Sequence, residues 1–325
     1  MSNLCGTPLR IPSLLAGQLA DAKEALALAE GLGDPVAVFW SANQVVIEAT
    51  RAGDFALADR CLQTMDALSE KLRQPMFVWT TLFSEAAQAM LHGDAGRSEE
   101  LAGRAFEIGS ASGQPDAFAN YGTQLMGIRQ IQGRTGELVD LVAGMAAQHP
   151  DVPAFRSVLT SCYVDAGDEA SARRLLQEAA EGGFALPMDC TWLDGVIVYA
   201  RVTLELGVTD AADQLLRLLA PFDDQVPYQG LTANPPVAAF LGGLAGLVGR
   251  HTEAEAYFAA AAALNGRGGM QFAESYSSLL WARTLLARDA PGDRARAVSL
   301  LTDVRWRAAA HGYVLLERRA EKATP

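Results

Sequence analysis

The chain has 325 residues, of which half are hydrophobic, and it carries a net charge of −12. Its mean hydropathy of +0.10 and this composition predict a large core and argue against disorder. The acidic balance argues against DNA, RNA or an anionic membrane surface as the main partner, because each of these is bound largely through cationic side chains.

The first predicted element is a helix over residues 14–32, whose apolar side chains follow helical spacing. It resembles the second helix of a repeat whose first helix is missing, which suggests descent from the C-terminal end of a longer protein. We expect residues 1–13 to be disordered or frayed. They contain one arginine and no continuous apolar run, so they do not indicate a signal peptide, and the expected location is cytoplasmic.

Three similar units follow over residues 36–148, and each consists of a helix, a glycine turn and a second helix. The prolines expected to open the first helices lie 40 residues apart, at Pro35, Pro75 and Pro115. Aspartates after the turn glycines are expected to cap the second helices. The turn glycines of the whole chain, separated by 40, 40, 34, 40, 42 and 43 residues, are Gly53, Gly93, Gly133, Gly167, Gly207, Gly249 and Gly292.

Self-similarity at this period is typical of stacked helix pairs, and it continues to Gly312. We therefore predict an all-α, tetratricopeptide-like right-handed helical solenoid of about seven helix pairs, covering residues 14–312. The long irregular segment 221–236 leaves two interpretations open, a functional loop and a tolerated insertion. Residues 313–325 are expected to form a C-terminal tail that frays into solvent. The later predicted pairs are 154–166 with 169–180, 190–206 with 210–219, 238–248 with 253–264, and 272–288 with 294–311.

The last third of the chain carries a more specific pattern. The segments that carry it are LGGLAGLVGR at 241–250, EAEAYF at 253–258, WARTLLAR at 281–288, PGDR at 291–294 and AVSLL at 297–301. They resemble the C-terminal tetratricopeptide-like region of large bacterial signalling ATPases. These include MalT-like and LuxR-type regulators and class III adenylate/guanylate cyclase proteins with an ATPase core. The rest of the chain agrees with that family in period and turn chemistry only.

The resemblance implies a sensor or scaffold that works with an ATPase or cyclase domain, and this sequence departs from the family at both ends. It has no G-x-x-x-x-G-K-[ST] loop and no Gly-Lys pair, so ATP binding is not carried over. The residues after Gly312 are too few for a helix-turn-helix. We expect the sensor or scaffold part alone, as a standalone, split or truncated gene product.

The candidate binding residues are aromatic and polar side chains of the first helices. First helices of helix-pair solenoids line the concave surface, which binds peptides, and the resemblance adds a small inducer as an alternative ligand. The competing interpretation, which we favour for any single aromatic, is packing between repeats. The candidates are Trp40, Asn43, Trp79, Tyr121, Gln124, Arg129, Arg156, Tyr163, Trp192, Asp194, Tyr276 and Trp281.

No constellation in the sequence indicates catalysis, a cofactor or a metal. The four histidines fall in different repeats, and capping of helix C-termini is the expected role for those beside turn glycines. Acidic pairs such as Glu99-Glu100 and Asp223-Asp224 are expected on solvated first turns or in a loop. The four distant cysteines are expected to be reduced thiols. The glycines of residues 242–249 are expected to pack against the alanines of 259–263.

These observations lead us to expect a non-enzymatic protein-interaction or sensor module of a bacterial signalling or transcriptional regulator. Its partner would be a protein, such as an ATPase or cyclase domain, bound on the concave helix surface. The alternatives are a small-molecule inducer sensor of the MalT-like kind, which requires a closed pocket, and an orphan fragment of an ATPase or adenylate cyclase regulator. A further alternative is a DNA-linked regulator that relies on a separate helix-turn-helix partner for DNA binding.

Overall fold

A computed structural model describes residues 10–149 and 152–324, and these residues are predominantly helical. They contain sixteen α-helices and no β-strand, and neighbouring helices pack as pairs. This confirms the all-α, repeat-like prediction. None of the described helices combines the length and the apolar character that a membrane span requires.

The chain divides into two compact units, and the boundary falls within one helix. Unit 1 comprises the residues up to Ile128 together with the distant segment Gln225–Asn234. Unit 2 comprises Arg129–Asp224 and the residues from Pro235 onwards. The helices up to this boundary are α1 (Leu15–Leu32), α2 (Pro35–Arg51), α3 (Phe55–Leu72), α4 (Pro75–His92), α5 (Ala95–Ala111) and α6 (Ala117–Gln132), the last of which contains the boundary.

Unit 2 continues the helix pairs and contains two short 3-10 helices, at Thr135–Leu138 and Ala220–Phe222. The first helices of its repeats pack against one another in chain order, and the last helix packs on the pair before it. Its helices are α7 (Val139–Gln148), α8 (Ala154–Ala166), α9 (Glu169–Glu181), α10 (Trp192–Leu206), α11 (Thr209–Leu219), α12 (Val237–Leu247), α13 (His251–Gly268), α14 (Gln271–Arg288), α15 (Asp293–His311) and α16 (Val314–Ala323).

The turn chemistry agrees closely with the sequence pattern. All seven predicted turn glycines have a positive φ, which L-residues with side chains rarely adopt. The carboxylate of Asp94 accepts the backbone N–H of Arg97 at 2.9 Å and caps α5, as predicted. Pro35 and Pro75 are the first residues of α2 and α4, whereas Pro115 lies ahead of α6 rather than within it.

The glycines of α12 allow neighbouring helices to approach closely, as predicted, but their partners differ from the expected alanines. A Cβ atom at Gly242 would lie 2.8 Å from the ring of Phe258 on α13. A Cβ atom at Gly246 would overlap the side chain of Thr284 on α14. Larger residues at these positions would force the helices apart.

Both ends of the solenoid differ from the sequence expectation. The predicted frayed N-terminus lies outside the described residues for residues 1–9, but Pro12–Leu14 form a 3-10 helix and the Arg10 side chain forms an ion pair with Glu48. The expected solvent tail is wrong, because residues 314–323 form α16. Leu316 and Ala320 of α16 are completely buried, since an amphipathic turn of helix stabilises the fold more when it packs than when it frays.

Candidate functional site

The segment Gln225–Asn234 packs on the first helices of unit 1. The N–H of Val226 donates to the carbonyl of Arg51 at the end of α2 at 2.9 Å. A Cβ atom at Gly230 would lie 3.0 Å from the side chain of Ile47, also on α2. Val226 and Leu231 are buried. This part of the long irregular segment is therefore a structural component of unit 1.

Hydrogen bonds within the segment hold it in a compact turn. The amide oxygen of Gln229 accepts the N–H groups of Leu231 and Thr232 at 3.1 and 2.9 Å, and its nitrogen donates to the Thr232 hydroxyl at 2.8 Å. Tyr228 pairs with Ala233 through an isolated antiparallel bridge. Because the segment satisfies many of its own polar groups, it fits against apolar side chains of α2 at little desolvation cost.

A buried charge triad lies at the same side of unit 1. Glu48 of α2 forms ion pairs with Arg51 at 2.5 Å and with Arg10 at 3.5 Å. Arg10 also donates to the side chain of Gln44 at 2.7 Å and to the carbonyl of Gln229 at 3.4 Å. Each guanidinium of this triad therefore has a carboxylate partner, and the triad links α2 to the segment 225–234.

In unit 2, charged side chains from four helices meet, and they are largely buried except for that of Arg283, which is 35% exposed. We call Arg201, Glu205, Asp165, Arg283 and Arg319 the inner charged cluster. Arg319 of α16 lies 3.1 Å from a carboxylate oxygen of Asp165 on α8 and 3.0 Å from one of Glu205 on α10. Arg283 of α14 lies 3.4 Å from Glu205. Three arginines and two carboxylates give the cluster one excess positive charge.

Arg201 differs from the other buried arginines. Its guanidinium donates to the hydroxyl of Ser161 at 2.7 Å, and no carboxylate of the described residues lies at ion-pair distance from it. Arg10, Arg51 and Arg319 each have such a carboxylate. Burial lowers the pKa of Arg201, although the nearby Asp165 opposes that effect.

Tyr276 of α14 places its hydroxyl beside the same charges. The side chain is 2% exposed, and its hydroxyl has no hydrogen-bond partner within the described residues. Burial raises the pKa of this phenol, and Glu205, Arg319, Arg201 and Arg283 are close enough to influence it. A buried hydroxyl without a partner is uncommon and requires an explanation.

The predicted aromatic site residues of unit 1 take part in packing between helices. Trp40 lies against the ring of Phe77, with the ring centroids 6.0 Å apart. Trp79 is buried and lies edge-on to Phe83. Tyr121 stacks on a phenylalanine of α5 with the centroids 4.9 Å apart. Their surroundings agree with the packing interpretation, and ligand binding by them stays a prediction.

The predicted aromatics of unit 2 occupy different surroundings. Trp192 is buried edge-on to a phenylalanine of the 3-10 helix after α11, and Tyr163 is half-buried on α8. Trp281 stacks on the ring of Phe258, and a guanidinium of α15 lies 4.1 Å from its ring centroid. Of these aromatics, Tyr276 is the one beside the inner charged cluster.

The predicted polar residues are scattered over both units. Asn43 is buried, and Gln124 donates to a backbone carbonyl of α4 at 2.7 Å. Arg129 donates to a glutamine of its own helix at 2.5 Å, and Arg156 forms an exposed ion pair with a glutamate of α9. Asp194 is half-buried in the first turn of α10. Asn43 and Gln124 belong to unit 1, and Arg129, Arg156 and Asp194 belong to unit 2.

The sequence analysis missed Arg201, Arg283 and Arg319. A signal was present for Arg201, which interrupts the apolar run of residues 196–204 and must be buried if α10 is buried on all sides. Arg319 falls in the segment expected to fray. These arginines come together through contacts between helices that are distant in the sequence. The repeat spacing alone does not predict such contacts.

The remaining side chains that could bind a metal or take part in catalysis are not grouped in the part of the chain that the structure describes. Within the described residues, no three His, Cys, Asp or Glu side chains are grouped so that they could hold a metal ion. His251 is the first residue of α13 rather than the last of a helix, so the expected C-terminal capping is wrong for this histidine. Neither the protein-family models nor the curated proteins gave a match for this chain.

Proposed function

We propose that this chain is a non-enzymatic sensor and protein-interaction module of a bacterial signalling regulator. Its repeated helix pairs provide a scaffold, and its output is a change in the state of an ATPase or cyclase domain. The proposed setting is cytoplasmic. The resemblance of residues 241–301 to the C-terminal region of signalling ATPases supports the class of partner.

The observation that carries this proposal is the inner charged cluster. Removing charged groups from water costs several kcal/mol for each ion, and stacked helices can be held together by apolar side chains alone. Such groups are therefore expected where a binding event or a switch depends on them. The cluster joins α8, α10, α14 and α16. A ligand or a rearrangement at its centre would therefore change the ion pairs that connect these four helices.

The first-helix side of unit 1 supports the proposal in a different way. It holds the turn segment Gln225–Asn234 through backbone and side-chain hydrogen bonds. Helical repeats use such surfaces for binding, and here the chain's own residues occupy this one. We therefore assign partner binding to surfaces outside the face of unit 1 that this segment covers.

A second candidate function is the sensing of a small molecule within unit 2. The observation that favours it is the combination of a buried arginine without a carboxylate and a buried phenol without a partner. Both groups are too deeply buried to meet a folded protein partner. A small molecule bound there would then control the interaction of the module with its partner.

The test of the proposed function is a measurement of coupling to a partner. Purified chain is titrated calorimetrically into an ATPase or cyclase domain encoded beside it, and the ATPase or cyclase rate is followed in parallel. We expect measurable heat and a change in rate. Arg319→Met should reduce the change in rate, and Glu321→Ala, at an exposed position of the same helix, should not. The absence of both heat and rate change would contradict the proposal.

A further inference from the structure

The interior of unit 2 contains a buried arginine that has no carboxylate at ion-pair distance among the described residues. Arg201 is 6% exposed, and the hydroxyl of Ser161 is its hydrogen-bond partner in the structure. A hydroxyl is neutral, so this contact does not offset the cost of burying a guanidinium. The carboxylates nearest in the cluster, Asp165 and Glu205, already lie at ion-pair distance from Arg319.

The phenol of Tyr276 supplies a second unused group in the same place. Its hydroxyl is buried and has no hydrogen-bond partner among the described residues. Arg283, seven residues further along α14, donates to the carbonyl of Leu204 on α10 at 2.9 Å, three residues beyond Arg201. The charge of Arg201 also acts on the Tyr276 phenol. A hydroxyl can donate to an anion that an arginine attracts. Two independent features of the described residues, a buried cation without a carboxylate at ion-pair distance and a buried hydroxyl without a partner, thus favour the same kind of ligand, an anion.

We propose that unit 2 binds a small monocarboxylate between the Arg201 guanidinium and the Tyr276 hydroxyl. This inference deepens the second candidate function above and rests on it. The planar guanidinium matches the two oxygens of a carboxylate. The single excess positive charge of the cluster is balanced by a monoanion, whereas a phosphate dianion would leave an excess negative charge. The burial of both side chains limits the ligand to a small molecule.

The proposed site predicts an unusual effect of substituting Arg201 on the stability of the unliganded protein. A buried arginine that serves the fold destabilises the protein when it is removed, because its partners lose their counter-charge. An arginine that serves to bind a ligand has no carboxylate at ion-pair distance in the free protein, and the nearby Asp165 offsets the cost of its burial only in part. Replacing it with methionine, which is similar in length and apolar, should leave the unliganded protein as stable as the wild type or more stable.

The experiment measures the Tm of the full chain in acetate and pyruvate, at ionic strength matched with chloride. We expect the wild-type Tm to rise with ligand, by roughly 3–5 °C at about ten times the Kd. Arg201→Met should keep or raise the Tm in chloride and should abolish the response to both carboxylates. Tyr276→Phe keeps the ring, should keep the Tm in chloride, and should weaken carboxylate binding by roughly 3- to 10-fold.

A matched control keeps the test specific. Arg288→Met, on the same helix as Tyr276, removes an arginine paired with Asp293 and should lower the Tm while leaving the carboxylate response intact. The proposal is overturned if Arg201→Met lowers the Tm sharply while the wild type responds to no carboxylate. It is also overturned if Arg201→Met still responds, or if phosphate and sulfate act as strongly as acetate and pyruvate.

The experiment needs no partner protein, so it separates this inference from the proposed function. A carboxylate response that depends on Arg201 supports the site even where no ATPase or cyclase domain responds to the chain. Coupling to such a domain without any carboxylate response supports the interaction module and overturns the site.

Discussion

Asp293 shows how one side chain fixes the turn between α14 and α15. Arg288 donates to both of its carboxylate oxygens, from Nε at 2.7 Å and from Nη2 at 2.6 Å. The backbone N–H of Ala290 donates to it at 3.0 Å. These contacts, above all the bond from Arg288, lower the pKa of Asp293 from 3.8 to about 2. The folded protein therefore holds this carboxyl group in its charged form.

The lowered pKa predicts a dependence of stability on pH. The unfolded chain binds a proton at Asp293 more readily than the folded chain does, so the stabilising effect is present above pH 4 and is lost as the pH falls towards about 2. Asp293→Asn should reduce the free energy of unfolding at neutral pH, and the difference from wild type should shrink as the pH falls from about 4 to about 2. Urea unfolding at several pH values measures this difference.

The exposed Asp303 on α15 provides the comparison for that measurement. Asp303→Asn changes an exposed side chain and should change the free energy of unfolding at neutral pH by less than about 0.5 kcal/mol. A difference between Asp293→Asn and wild type that stays constant down to pH 2 would show that the carboxyl charge does not cause the effect.

At the scale of elements, α16 holds distant parts of unit 2 together. Leu315 packs against the turn at Gly133, and Arg318 donates to the carbonyl of Gly133 at 3.3 Å. Arg319 joins the helix to Asp165 of α8. The helix therefore connects the last repeat of the unit to its first turns.

The packing of α16 predicts a large effect of truncating its buried leucine. Leu316 is completely buried, so Leu316→Ala should lower the free energy of unfolding of unit 2 by about 2–5 kcal/mol through lost transfer energy and a cavity. Chemical denaturation followed by circular dichroism measures the change. Glu321→Ala, on an exposed position of α16, should change it by less than about 0.5 kcal/mol. Equal effects of the two substitutions would mean that α16 is not packed.

The sequence predicted the helices and turns better than the contacts between them. Glycine spacing identified the turns because a helix C-terminus needs a residue that tolerates positive φ, and this requirement is local. The same local logic explains the correct cap at Asp94. The error at α16 arose because a short charged segment is helical only when its apolar stripe finds a surface. That surface is formed by α14 and α15 and by the turn at Gly133, 185 positions before Arg318.

Less of the candidate site than of the helices and turns could be predicted from the sequence. Tyr276 was among the predicted residues, but as a member of a stripe of aromatics rather than as the neighbour of three arginines. An apolar helix interrupted by Arg201 indicates a buried charge, whereas its lack of a carboxylate is visible only once α8, α10 and α14 are packed. Such pairings between helices depend on tertiary structure, which repeat spacing does not encode.

At the scale of the whole molecule, unit 1 is assembled from two separate stretches of chain. The chain leaves unit 1 after Ile128, and Gln225–Asn234 returns to it before the chain enters unit 2 again. Val226, Tyr228 and Leu231 contribute buried side chains to unit 1 from this returning segment. Unit 1 is therefore complete only when the segment is in place, even though the segment follows several helices of unit 2 in the sequence.

Because Leu231 belongs to the returning segment, truncating its side chain tests whether this segment stabilises unit 1. The side chain is 3% exposed, so Leu231→Ala should lower the free energy of unfolding of unit 1 by about 2–5 kcal/mol. Hydrogen exchange read by mass spectrometry resolves where the protein opens. Exchange should become faster in α2 and α4 of unit 1 and remain unchanged in α12 and α14 of unit 2.

The control variant is Leu141→Ala, at a position 51% exposed on α7, which should leave exchange in both sets of helices unchanged. Equal acceleration in the two units would show that they unfold together, and no acceleration in α2 would show that the segment does not stabilise unit 1.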